Sequence, residues 1–334
     1  MSAKFLCSCL LIASAFHDAS GTGKAISGGI PQGNQIVDFV QYINKGSPYF
    51  DLEEASVIAE IDTTDHSLTI FAPLIAPPES LYIRFIPGNL FTAQLSAEVA
   101  WDEESQKYQY HYGIFSDPRS VSSIWQFEIV WWNDYEQVFV PEGWFAGAIH
   151  STLQSRRVNY WDSGLDNRIG AGDSISGIGY ESYGPPVITP FEIWGEIKDM
   201  DVMGDDEYFG SICSGIMDKY RGVRGHTVAA WVAPELIEPV DWFDKICDVV
   251  ILVNEGYLSR ETEEAIYPVL YGLSEEFQLT ENQKLSKLEE EVNSALNALE
   301  PYREQMEPEA QAFIFENLRY ILRHQDIVKF KEYP

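Results

Sequence analysis

Basic residues are scarce in this chain. Its 334 residues hold 22 Lys and Arg against 52 Asp and Glu, a formal net charge of −30. A surface so poor in cations repels phosphate backbones and anionic membrane surfaces alike, which argues against nucleic acid and against peripheral lipid binding. Cysteine is also sparse, with four in all. Past the N-terminus no apolar run is long enough to cross a bilayer, so no transmembrane segment is expected. Several motifs are missing as well: His-Glu-x-x-His, a phosphate-binding Gly-rich loop, a dinucleotide fingerprint and any Cys-His cluster. What is present is a hydrophobic fraction of 45 % beside 22 % charged residues, so the acidity comes from a shortage of bases. That much apolar side chain excludes a wholly disordered chain.

The N-terminus has the pattern of a secretory signal. Lys4 precedes the apolar run Phe5–Phe16, and Ala13-Ser14-Ala15 or a point near Ser20 offers a cleavage site. A buried N-terminal helix is the alternative, and no lipoprotein reading fits Cys9. Residues 1–20 are therefore expected to be a signal peptide and the mature chain to be secreted and extracellular. Cys7 and Cys9 would leave with it. Cys213 and Cys247 then remain as a candidate disulfide, permitted in an oxidising compartment, or as two unpaired thiols. They are too few and too far apart in sequence for a zinc site.

From residue 56 to 195 the chain reads as short strands divided by Gly, Pro, Asn and Asp. The clearest is Lys107–Phe115, where a period of two puts Tyr108, Tyr110, Tyr112 and Ile114 on one face and Gln109 and His111 on the other. Long helical patterns are absent there, which favours an antiparallel sandwich over alternating strands and helices. The pattern changes near Pro239. Val240–Val253 is helical in its apolar spacing and stops at Gly256, and Ser259 caps a second helix. Leu285 to Leu299 marks a third, and Pro308 opens a fourth. The expected fold is an antiparallel all-β sandwich followed by a C-terminal four-helix bundle, two domains in all. An N-terminal segment (21–55) precedes the sandwich (56–195). An acidic, Gly-rich linker or irregular extension (196–238) separates it from the bundle (239–325), and a short tail (326–334) ends the chain.

Two stretches carry a resemblance. Tyr108-x-Tyr110-x-Tyr112, then Ile124–Ile129, Pro141-Glu142-Gly143-Trp144, Ile169–Ser174 and Gly184-Pro185-Pro186 occur in an order similar to that of uncharacterised secreted bacterial β-sandwich proteins, over about residues 50–195. Residues from about 238 to 325 resemble the helical FIMAH-type module appended to secreted bacterial hydrolases and surface proteins. The matching features are Gly256-Tyr257-Leu258, Lys287-Leu288 and Ala312-Phe313-Ile314, while Glu289-Glu290-Glu291 departs from the pattern. The resemblance implies an accessory or spacer role and no reaction.

Three constellations suggest sites. Asp199, Asp201, Asp205 and Glu207 crowd carboxylates onto a short loop, as hard cations require, so calcium is the candidate cofactor; a solvated acidic loop is the alternative. Trp131, Trp132 and Trp144 are candidate ligand-binding rings, since sugars stack on exposed aromatics, with core packing the competing explanation. Gly172-Asp173-Ser174 has the look of a nucleophile motif but no partnering His-acid pair, and it fits a turn entering a strand. Paired carboxylates for glycoside hydrolysis depend on the fold, and neither Glu128 nor Glu142 stands out. The function expected is an exported, non-enzymatic binding or structural protein that recognises an extracellular polysaccharide or surface protein. A secreted glycosidase-type hydrolase is the alternative.

Overall fold

The structure is a computed structural model that describes residues 24–27, 58–61, 64, 66–73, 80–130, 137–151, 156–164, 166–203, 221–279 and 285–330. The expected signal segment and Asp205, Glu207, Cys213, Trp131 and Trp132 lie outside them. Among the described residues the strands fall into three sheets, every named strand pair antiparallel, with helices at the C-terminal end.

The first sheet has the order β1-β5-β6-β11-β8, with β1 at Lys24–Ser27, β5 at Thr92–Asp102, β6 at Lys107–Ser116, β8 at Gln137–Phe139 and β11 at Ser174–Ser182. The second runs β14-β12-β7-β10-β9, with β7 at Ile124–Val130, β9 at Phe145–Ser151, β10 at Arg156–Asp162, β12 at Pro186–Gly195 and β14 at Gly222–Ala230. A four-stranded sheet, β13-β4-β3-β2, joins Lys198–Met203, Ser80–Ile86, Leu68–Pro73 and Ile58–Ile61.

The tyrosine face of β6 points inward, and Tyr108, Tyr110 and Tyr112 are fully buried. The ring of Tyr112 meets the apolar face of the second sheet. Tyr112 lies 5.4 Å from Phe127 between ring centroids, and Trp161 of β10 lies 6.3 Å from Tyr180 of β11. Burying tyrosine requires a partner for each hydroxyl. Tyr110 donates to the Gly184 carbonyl at 2.9 Å and Tyr112 to the Val228 carbonyl at 2.8 Å, while the Tyr180 hydroxyl accepts from the Ala230 N–H at 2.9 Å. The partners lie on or beside β12 and β14, so the tyrosines bond the sheets together as well as filling the space between them.

Strand β14 falls inside the stretch expected as linker or irregular extension. It pairs along its whole length with β12, from Pro186–Ala230 to Trp194–Gly222. Its backbone forms the edge of the second sheet.

At the C-terminal end the first expected helix is broken. Pro239–Cys247 (α1) and Val250–Asn254 (α2) are separate, with Asp248 off helical geometry between them. Gly256 then takes φ +76°, a conformation cheap only for glycine, and its N–H reaches the Val253 carbonyl to close α2. Helix α3 (Arg260–Leu279) starts as expected, with the Ser259 Oγ accepting the Thr262 N–H at 3.1 Å. Helix α4 spans Leu285–Leu299. The closing segment begins at Pro308, passes through a π-helical turn at Ala312–Glu316 and ends as a helix at Asn317–Arg323. The extra residue of a π turn shifts the register of the helix beyond it. Here Asn317 is turned against the sheet, where its Nδ2 donates to the carbonyls of Pro186 and Phe313.

Most of the buried apolar residues form one continuous cluster running from Phe91 and Tyr112 through Phe191 and Val228 to Trp242, Leu288 and Ile321. The helices therefore share a core with the two five-stranded sheets.

Candidate functional site

The outward face of the second sheet carries an unusual row. Because paired residues share a face, register alone aligns Tyr160 of β10 with Glu128 of β7, Glu128 with Glu192 of β12, and Glu192 with Arg224 of β14. Like charges directly opposite each other destabilise a sheet. Glu128 and Glu192 are nonetheless each only 7 % exposed. They line a cavity of about 320 Å³ whose walls also include Val130, Val158, Pro190, Arg224, His226 and Glu255. That size is at the small end for a ligand pocket, ~300 Å³ and upward.

Each polar group has a distinct setting. Glu192 is paired with the Arg224 guanidinium, 3.3 Å from Nε. Glu255, in the turn after α2, lies 3.0 Å from His226 Nδ1, and the Tyr257 hydroxyl donates to the His226 carbonyl. The helical end thus supplies one wall of a cavity whose floor is sheet. Glu128 accepts a 2.7 Å hydrogen bond from Gln126 Nε2, two residues earlier on the same face, and among the described residues no cation comes within ion-pair distance of it. Burial is the main reason its carboxyl titrates at about 7; the neighbouring Glu192 charge pushes the same way, and Arg221, Gln126 and Arg224 oppose it more weakly. One acid of the pair is thus poised at neutrality while the other sits on an arginine.

Beside the acids the same sheet face turns aromatic. Tyr160 covers Gly147 of β9, where a Cβ would fall 2.6 Å from its hydroxyl oxygen, so only glycine lets the ring lie flat against β9. Phe145, 49 % exposed, meets Tyr160 edge-on at 6.4 Å. At the other end of the row Arg221 stacks on the Trp194 ring, 3.3 Å from its centroid.

Those site residues expected from sequence that are described fall elsewhere. Trp144 needs correcting as a ligand-binding ring: it is 8 % exposed, and its Nε1 donates to the Asn167 carbonyl at 3.1 Å, so its face is covered by the core. Asp199 is exposed at a β13 irregularity with φ +52°, and Asp201 pairs in register with Arg84, while Asp205 and Glu207 lie outside the described residues. Among the described residues no group of three or more His, Cys, Asp or Glu side chains is gathered as a metal would need. Cys247 carries a free thiol, and its candidate partner Cys213 lies outside the described residues; burial, and secondarily Asp244, push that thiol up to about 11. The Glu142 side chain is exposed in a turn, and Glu128 is the member of the sequence pair that reaches a cavity.

No family model matches the chain, and no curated protein does. Among the solved structures similar to part of it is an uncharacterized protein from Nocardia farcinica with an immunoglobulin-like fold, 10 % identical, covering 42 % of this chain and 98 % of its own, at a TM-score of 0.25. Among the described residues no helix is long and apolar enough to cross a membrane.

The signal for the site was present in the strands. Gln126 and Glu128 alternate with Trp125, Phe127 and Ile129, and Glu192 interrupts Phe191-Glu192-Ile193-Trp194. Acids inside otherwise apolar strands mark a face that is polar yet covered.

Proposed function

We propose that this chain is an exported binding protein that recognises an extracellular polysaccharide at the outward face of its second sheet. The observation that carries the reading is the cavity lined by Glu128, Glu192 and Arg224 beside the rings of Tyr160 and Phe145. Sugars are held by stacking on aromatic rings and by carboxylate, amide and guanidinium groups that bond their hydroxyls, and this face offers each of these. The signal-like N-terminus supports export. In this reading the fold is a β-sandwich with an appended helical bundle of accessory type, as the FIMAH-like features suggest, here joined to the sandwich by a common core. A pull-down against insoluble and immobilised polysaccharides tests it. Retention that is lost in Tyr160→Ala with the fold intact is expected; no retention by any glycan would overturn the reading.

One observation favours a second reading, a glycosidase-type hydrolase. A carboxyl titrating at about 7 beside a second acid paired with Arg224 is the kind of unlike setting an acid–base pair needs. Turnover of a retained glycan, abolished in Glu128→Gln while retention persists, would favour it over simple binding.

A further inference from the structure

We infer that the cavity at Glu128 receives a primary ammonium group, and that the glycan recognised there is an amino sugar with its amine free. The inference rests on the polysaccharide reading and names the chemical class of the ligand.

Two of the three carboxylates that line the cavity have a basic partner from the protein: Glu192 is paired with Arg224, and Glu255 faces His226, which is a cation only when protonated. Glu128 is the exception: it is 7 % exposed, lines the cavity, and is held by the neutral amide of Gln126. A buried carboxylate without a cation is costly, and the group keeps its proton near neutrality instead. The groups facing it are Glu192 from β12, Arg221, Arg224 and His226 from the β14 side, Tyr160 from β10 and Glu255 from the turn after α2. The two guanidiniums lower its titration point only in part, so a cation entering the cavity finds one acid whose charge is not neutralised.

An ammonium with its own donors matches that acid in charge, and the pyranose carrying it would lie toward Tyr160. A neutral N-acetyl group offers no charge to Glu128 and adds bulk to a small cavity. The protein's overall charge of −30 also attracts a cationic polymer and repels an anionic one.

Proton linkage gives the test its sign. Below pH 7 the Glu128 carboxyl is mostly protonated in the free protein and must lose that proton to pair with the ammonium. Affinity therefore rises with pH, by up to about tenfold per unit where one proton is released for each ligand bound. Calorimetric titration of the full chain with a glucosamine oligosaccharide and with its N-acetylated counterpart, between pH 5 and 6.5, reads this directly. That range keeps the amine charged. The expected result is tighter binding of the free-amine sugar by at least tenfold, uptake by buffer of about one released proton, and loss of both the preference and the pH slope in Glu128→Gln. The same titration on Arg224→Gln, which frees the Glu192 charge, should strengthen amine binding; a weaker or unchanged affinity there counts against the inference. Equal affinity for both sugars, or no pH slope, would overturn it and leave the polysaccharide reading standing. Binding of neither sugar overturns it as well, and the glycan panel then decides whether the broader reading survives. Pairing with a lysine peptide but not with the sugar would move the ammonium to a protein partner and sink the amino-sugar assignment.

Discussion

Glu128 and Glu192 stand directly opposite each other on β7 and β12, both buried, one titrating at about 7 and the other paired with Arg224. The arrangement makes folding stability depend on pH in a definite direction. The folded state holds the Glu128 proton up to about pH 7, whereas the unfolded chain releases it near the ordinary carboxylate value. Stability is therefore full below that ordinary value, falls as pH rises toward 7, and stays reduced above it. Glu128→Gln removes the ionisation, keeps the shape and should stabilise the protein at pH 8 by about 3 kcal/mol relative to wild type, with little difference at pH 4.5. Urea denaturation of both proteins at the two pH values checks it; equal differences at both would show that Glu128 is not the titrating group.

How much of this was legible in sequence depends on whether the signal was local. The tyrosine alternation of β6 named which residues share a face, because period two is a backbone property that tertiary contacts did not override. Ser259 and Gly256 marked their helix ends for the same reason. The break at Asp248 was not legible, since the apolar residues of Val240–Val253 keep a helical spacing across it and nothing in that spacing required a stop. Strand β14 has glycines at 222 and 225 and a weak period, and only pairing with β12 makes it a strand. The candidate site failed to appear for a related reason. Its two acids sit on strands far apart in the chain, and their meeting is a fact of register. The tryptophans drew attention by their chemistry, while beside the two acids the described rings are Phe145, exposed, and Tyr160, half-buried.

The hydroxyls of the buried tyrosines make a second expectation. Tyr112 donates to the Val228 carbonyl at 2.8 Å across the space between the sheets. Tyr112→Phe keeps the ring and removes the bond, which should cost about 1–2 kcal/mol. The same change at Tyr267, 42 % exposed on α3, should stay within about 0.5 kcal/mol. Thermal unfolding of the two variants side by side separates a bonded core tyrosine from one that merely lies on the surface.

Cys247 offers a chemical probe. Its thiol is pushed up to about 11 by burial and by Asp244, so at pH 8 it holds very little thiolate. Since the thiolate is the reactive form, alkylation of the native protein at this site should run about a hundredfold slower than that of an exposed cysteine. In denaturant, without any reductant, Cys247 should become fully labelled. Peptide mapping that found it blocked until reduction would show a disulfide in place of the free thiol.

The closing helix is tied to the first sheet by Arg323, and this tie should be the most sensitive polar point in the packing of helices on strands. Its Nη1 donates to Glu316 Oε2 at 2.9 Å and to the Tyr108 hydroxyl at 2.9 Å, while the guanidinium lies 4.5 Å from the Trp101 ring centroid. The Tyr108 hydroxyl in turn donates to the Glu316 carbonyl at 3.2 Å, so the π turn places a carbonyl and a carboxylate of one residue around one tyrosine. Arg323→Ala leaves Glu316, 9 % exposed, with Arg319 as its remaining ion pair and uncovers the Trp101 face. The loss should be about 2–4 kcal/mol, since a buried acid gives up one of two charged partners. Lysine should recover little of it, because a single ammonium cannot bond the acid and the hydroxyl while stacking flat on indole. Hydrogen exchange gives the readout specific to this tie. Amides of Asn317–Arg323 should lose protection in Arg323→Ala while those of β7 and β12 keep theirs, and a uniform loss across the chain would show that the contact is spread over the whole core.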